Sequence, residues 1–319
     1  MTQALATVEK RELRAGDVLA AFGEFLRLKV ADGDASPETL RSYQGQVGQF
    51  VAWCKTRHIS PAGATEQDLT AYRRHLIDAG YTRGTVAVKL AAVRRLYEAA
   101  TWHGLRADNP AAGVKAPRER TARAERVRYL PLAGVIRLLD SPKPARDDAM
   151  LYLMAGHGLR VSEVARLTLA DLDRDAQTLR VIGKGDKGRT VYLTEHTLAV
   201  IDAWLHERQA AEGVDALFVS GDNRTRGHAM TPRAIRHIVD GHLEAAGLKA
   251  EGTSCHALRH SFATWSLAAG ASMEAIGDKM GHQSTDTTRV YARIVDHMRQ
   301  NPTTRLEGLL FAGSGPGAG

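Results

Sequence analysis

Five short stretches of this chain carry side chains able to act together on one substrate. Arg160 and Glu163 lie in GHGLRVSEVARL, Lys184 in VIGKGDKGRTVYL, His256 and Arg259 in HALRHSFATW, His282 directly after Gly281, and Tyr291 in TTRVYARI. Two arginines, two histidines, a lysine and a phenol make a cationic set, and the natural object of such a set is an anion. Taken singly, each is weak. An Arg–Glu pair on a helix contributes a few tenths of a kcal/mol, and a lysine in a turn is ordinarily only exposed. One tyrosine among eight ordinarily packs, with its hydroxyl hydrogen-bonded. GKGDKG lacks the GxxxxGK[ST] spacing and no helix follows it, so it is not a nucleotide P-loop. No HExxH or acidic triad offers itself to Mg²⁺ or Zn²⁺, so neither a metal nor a cofactor is expected.

These groups need elements to aim them. In HALRHSFATW, helical spacing puts Leu258, Phe262 and Trp265 on one apolar face and His256, Arg259 and His260 on another. The helix should pack on the first face and present cations on the second, with His260 in a structural, hydrogen-bonding part. Arg160 follows a glycine at the entry to a helix, with Glu163 one turn on. AQTLRVIGKGDKGRTVYL alternates, turns through glycines and alternates again, which is a hairpin with Lys184 at its tip. In TPRAIRHIVDGHL, Thr231 caps, Pro232 starts a helix, and Arg233, Arg236 and His237 share a face suited to a DNA major groove.

Length and composition frame the rest. At 319 residues, two domains are expected. Lys plus Arg exceed Asp plus Glu by 43 to 36, a net charge of +7 that suggests nucleic acid. Two distant cysteines, Cys54 and Cys255, indicate no disulfide framework, and neither a signal peptide nor a membrane-length apolar run is visible. A cytoplasmic, nucleoid-associated protein is the expectation. Residues 15–112 read as about four helices, with Arg41, Arg94 and Arg95 as candidate contacts for the nucleic acid that the charge suggests. Residues 113–128 read as a basic linker, 129–300 as helices around the hairpin, and 301–319 as a tail. The fold class is mainly α with a small β-hairpin or sheet (α+β).

The ordered set Arg160-x-x-Glu163, Lys184, His256-x-x-Arg259, Gly281-His282 and Tyr291 resembles the tyrosine recombinase (phage integrase) family, most closely its Xer-type members. The likeness runs over nearly the whole chain. It implies a helical, SAM-like core-binding domain followed by a catalytic domain. It also implies that Arg160 and Arg259 bind the scissile phosphate, that Lys184 is the general acid, that His256 and His282 assist, that Glu163 supports the site and that Tyr291 is the nucleophile. Gly188 and Tyr192 depart from the glutamate and proline common in the family's lysine hairpin. The implied activity is site-specific recombination through a 3′-phosphotyrosyl bond without ATP, for dimer resolution or mobile-element integration. The implied partners are double-stranded DNA and a homo- or hetero-tetramer on paired sites, the hetero-tetramer including a partner recombinase. A type IB topoisomerase-like nickase and a catalytically silent DNA-binding protein on the same fold are the alternatives.

Overall fold

The structure, a computed structural model, describes residues 15–33, 35–118, 125, 127–183, 186–281 and 285–299. Backbone contacts divide the chain into two compact units, Met1–Arg120 and Thr121–Gly319.

In the first unit, helices α1 (Ala15–Lys29), α2 (Pro37–Thr56), α3 (Glu66–Asp78) and α4 (Arg83–Trp102) are begun by local signals. Ser36 and Thr82 accept the backbone N–H of Thr39 and Thr85, and Thr65 exchanges two bonds with Asp68. The four pack around Phe50, Tyr72, Leu90, Leu96 and Tyr97, all fully buried. Tyr97 satisfies its hydroxyl on the Pro61 carbonyl at 2.7 Å. The expected linker starts later than residue 113. Arg94 donates to the Ala111 and Val114 carbonyls, Arg73 to Lys115 and Arg83 to Arg118, and Val114 is buried. Three guanidiniums thus strap the chain as far as Arg118 onto the helical unit.

The second unit contains α5 (Leu132–Asp140), α6 (Ala145–Ala155), the one-turn α7 (Val161–Val164), α8 (Glu195–Glu207), α9 (Pro232–Ala245), α10 (His256–Ala268), α11 (Met273–Met280) and α12 (Thr285–Arg299). A three-stranded antiparallel sheet runs in the order β1 (Leu172–Asp173), β2 (Thr178–Ile182), β3 (Gly188–Tyr192). β2 and β3 form the hairpin, with Thr178 opposite Tyr192 and Ile182 opposite Gly188. Its alternation faces Leu179, Val181 and Val191 inward. Those residues join Met150, Leu151, Leu153, Leu217, Phe218 and Leu258 in one core. A smaller cluster of Ala263, Ile276, Met280, Val290, Tyr291 and Ile294 ties α10, α11 and α12 together.

Candidate active site

Three elements converge: the turn into α7, the start of α10 and the end of α11. Gly158 has φ +68°, and a Cβ there would stand 2.5 Å from the Phe262 ring, so only glycine fits the turn that delivers Leu159 to the core and Arg160 to the site. Glu163 reaches back one turn. Its Oε2 accepts the Arg160 backbone N–H at 2.8 Å, and its Oε1 accepts Arg160 Nη1 at 2.8 Å. Glu163 is 3% exposed, whereas the Arg160 side chain is a third exposed, so the carboxylate is a buried post and the guanidinium its movable arm.

Arg259 is buried rather than presented to solvent, which corrects the expectation of a single cationic face on α10. It donates through Nη1 to the Gly158 carbonyl and through Nη2 to the Met280 carbonyl at 2.6 Å. Burial, with the positive charge of Arg160, pulls its pKa down to about 10, against a smaller upward pull from Glu163. It remains a cation at neutral pH. His256 is exposed at the first turn of the same helix. The protein packed behind it, and then Arg259, Arg236 and Arg160, hold its imidazole below the usual range, so it is neutral near pH 7. Burial alone would raise the Glu163 carboxyl. The hydrogen bond from Arg189 and those from Arg160 outweigh it and keep Glu163 ionised.

Tyr291, on α12, is 2% exposed, and its hydroxyl lies 2.7 Å from His260 Nδ1. His260 is the residue after Arg259, so one helix touches both the buried guanidinium and the phenol. The supporting hydrogen bond expected of His260 is therefore made to the phenol itself. Arg160, Glu163, His256 and Arg259 belong to these converging elements and Tyr291 to α12, which reaches α10 through His260, while Lys184 and His282 lie outside the described residues. Sequence reasoning missed Arg189, which donates to both Glu163 oxygens and to the Lys279 carbonyl. Of the expected DNA-contacting residues, Arg233, Arg236 and His237 are exposed on α9, and Arg41 and Arg95 are exposed on the first unit. Arg94 is turned inward to its carbonyls. Among the described residues no helix is long and apolar enough to cross a membrane.

Residues 132–298, just over half of the chain, match the phage integrase family, and residues 22–104 match its N-terminal SAM-like domain. The chain belongs to the phage integrase family of tyrosine recombinases. This recombinase is 31% identical over 288 residues to the tyrosine recombinase XerD of Yersinia pestis, covering 87% of this chain and 94% of the relative. It is 32% identical to the tyrosine recombinase XerC of Pelobacter propionicus, covering 81% and 85%. Two solved structures share its fold. A XerH site-specific recombinase bound to palindromic difH substrate matches with a TM-score of 0.73 at 19% identity, over 95% of this chain and 98% of that one. A lambda integrase tetramer bound to a Holliday junction matches at 0.69 and 16%, over 88% and 78%. The recombinase is an enzyme of site-specific DNA recombination, and neither the nickase nor the silent binder is favoured.

Proposed function

We propose that this recombinase cuts and rejoins each DNA strand through a covalent bond between Tyr291 and the 3′ phosphate. The phenolic oxygen attacks phosphorus as the bond to the 5′ oxygen breaks, and the departing oxygen takes a proton from Lys184. Arg160 and Arg259 hold the non-bridging oxygens, where charge gathers in the transition state. His256 and His282 assist with hydrogen bonds. The phosphotyrosyl bond conserves the ester's free energy, so strand exchange needs no ATP. The observation that carries this reading is the shared support of the two arginines. Arg259 Nη2 and Arg160 Nη1 both point to the Met280 carbonyl, at 2.6 and 3.5 Å, and α10 joins Arg259 to Tyr291 through His260.

The exposed Arg233, Arg236 and His237 of α9 supply a groove-reading face. Arg41 and Arg95 supply phosphate contacts from the helical unit. Their surface pairs with Glu38 and Glu98 are weak enough to exchange for phosphate. By likeness to the Xer recombinases, the working assembly is a tetramer on two short sites, built of this chain alone or with a second recombinase. A nicked suicide substrate in excess EDTA tests the chemistry. Wild-type protein should form a covalent adduct, and Tyr291→Phe should form none while binding the same duplex within about threefold, since only the phenolic oxygen is lost. An adduct with Tyr291→Phe, or strict dependence on Mg²⁺, would contradict the assignment.

A further inference from the structure

Glu163 carries more donors than a supporting carboxylate needs. Arg189, at the foot of β3 and 12% exposed at its side chain, places Nη1 3.0 Å from Oε1 and Nη2 2.9 Å from Oε2. Its Nε donates to the Lys279 carbonyl at 2.8 Å. Gly281, left-handed at φ +63°, lies flat against this guanidinium, where a Cβ would come within 3.0 Å of Nη1. A carboxylate offers about four acceptor positions, two on each oxygen. On Oε1 they are taken by Arg160 Nη1 and Arg189 Nη1, and on Oε2 by the Arg160 backbone N–H and Arg189 Nη2. Arg259 Nη1 stands 3.9 Å from Oε2, beyond hydrogen-bond reach, and is satisfied instead by the Gly158 carbonyl.

We propose that Arg189 is a positioning residue for the phosphate clamp. By filling one acceptor position on each oxygen of Glu163, it keeps Arg259 from collapsing onto the carboxylate. The inference rests on the reading of Arg160 and Arg259 as that clamp. Without Arg189, Glu163 would face the two clamp arginines with two positions open, in a buried setting where an unpaired carboxylate is costly. Arg259 is the nearest guanidinium able to fill them, and a shift of about 1 Å toward Oε2 would make the bond. The same shift would withdraw it from the phosphate. Arg189 also raises the local balance from two cations against one anion to three against one, which favours a phosphodiester in the site. Lysine could not substitute, because its ammonium lacks the planar fork that meets both oxygens at once.

The test compares single-turnover cleavage of a nicked suicide substrate at saturating protein. Arg189→Gln should cleave about 100-fold more slowly, the cost of a misplacement near 1 Å, with duplex binding within about threefold. Adding Glu163→Gln should then restore at least about tenfold, because the neutral amide no longer draws Arg259 in. A bridging 5′-phosphorothiolate substrate, which needs no leaving-group proton, should not rescue Arg189→Gln. Arg189→Lys should fall between Arg189→Gln and wild type, and it carries the test if Arg189→Gln does not fold. Three results would overturn the proposal: a wild-type rate for either Arg189 variant, a double variant no faster than Arg189→Gln, or full rescue by bridging sulfur. The last would assign Arg189 to holding the lysine hairpin. Failure of wild-type protein to form a Tyr291-dependent adduct would instead defeat the reading of the clamp, whatever the Arg189 variants do.

Discussion

Acid should destabilise this protein through His157, one residue before the glycine whose carbonyl holds Arg259. His157 is 2% exposed; its Nε2 meets Thr197 Oγ1 at 2.9 Å, and its buried Nδ1 has no hydrogen-bond partner among the described residues. Burial first, and then the charge of Lys279, push its pKa from the ordinary 6.5 down to about 4. The folded pKa is the lower one, so the unfolded chain binds the proton first. Nothing is lost above about pH 7, stability falls as pH drops through 6.5, and the loss levels off below the folded value near 4. At pH 5 the unfolded histidine is almost fully protonated and the folded one is almost neutral. The difference is about 1.5 pH units of binding, or about 2 kcal/mol. It approaches about 3 kcal/mol below pH 4. Carboxylates also contribute to acid sensitivity, so the measured quantity is a difference between proteins. Urea unfolding of wild type and His157→Gln at pH 7.5 and pH 5.0 should show wild type losing about 2 kcal/mol more than the variant between the two. Glutamine retains a partner for Thr197 and does not titrate. Equal losses within about 0.5 kcal/mol would refute the argument, because His157 would then titrate alike folded and unfolded.

Four further substitutions probe the site and the helical unit. Gly158→Ala should cost about 2–4 kcal/mol in urea unfolding, from the left-handed backbone and the clash with Phe262; in a Phe262→Ala background the cost should fall by about half. Lys184→Ala should slow suicide-substrate cleavage by about a hundredfold or more, and a bridging 5′-phosphorothiolate should restore most of it; equal defects on both substrates would remove Lys184 from the acid role. Arg94→Ala should destabilise the protein by about 1–3 kcal/mol, because it leaves the Ala111 and Val114 carbonyls short of donors. Arg95→Ala should instead spare stability and reduce the salt slope of DNA binding by about one, and the reverse pattern would contradict their opposite orientations.

What the sequence made legible was whatever a local period or a local bond controls. Thr231 caps its helix because its hydroxyl needs only an N–H three residues on. The hairpin declared itself because a strand buries every second residue. The identities of Arg160, Glu163, Arg259 and Tyr291 stood out through their ordered spacing. The burial of Arg259 did not, since an arginine on a helix reads the same whether it faces water or a carbonyl across the fold. Arg94 misled for the same reason: its partners, Ala111 and Val114, offer only main-chain oxygens. The short β1 was missed as well, because two residues are too few to show alternation.

The least legible part of the site is the part that aligns it. Arg259 is fixed by the carbonyls of Gly158 and Met280, Arg160 by its own turn and a distant approach to Met280, and Arg189 by Lys279 as well as Glu163. Carbonyl groups belong to every residue, so no choice of amino acid marks the ones that matter. The glycines mark them indirectly. Gly158 turns its carbonyl toward Arg259 at φ +68°, and Gly281 ends α11 at φ +63° just after the Met280 carbonyl. Both adopt a conformation that side chains resist, and both adjoin a main-chain oxygen that holds Arg259. On the proposed reading, a glycine at each of these carbonyls is the sequence trace of a phosphate clamp built on backbone oxygens, with Glu163 the one carboxylate among the described groups that hold the two arginines. That construction leaves the cations in excess, which is the condition for a site that must bind a phosphodiester and stabilise further negative charge upon it.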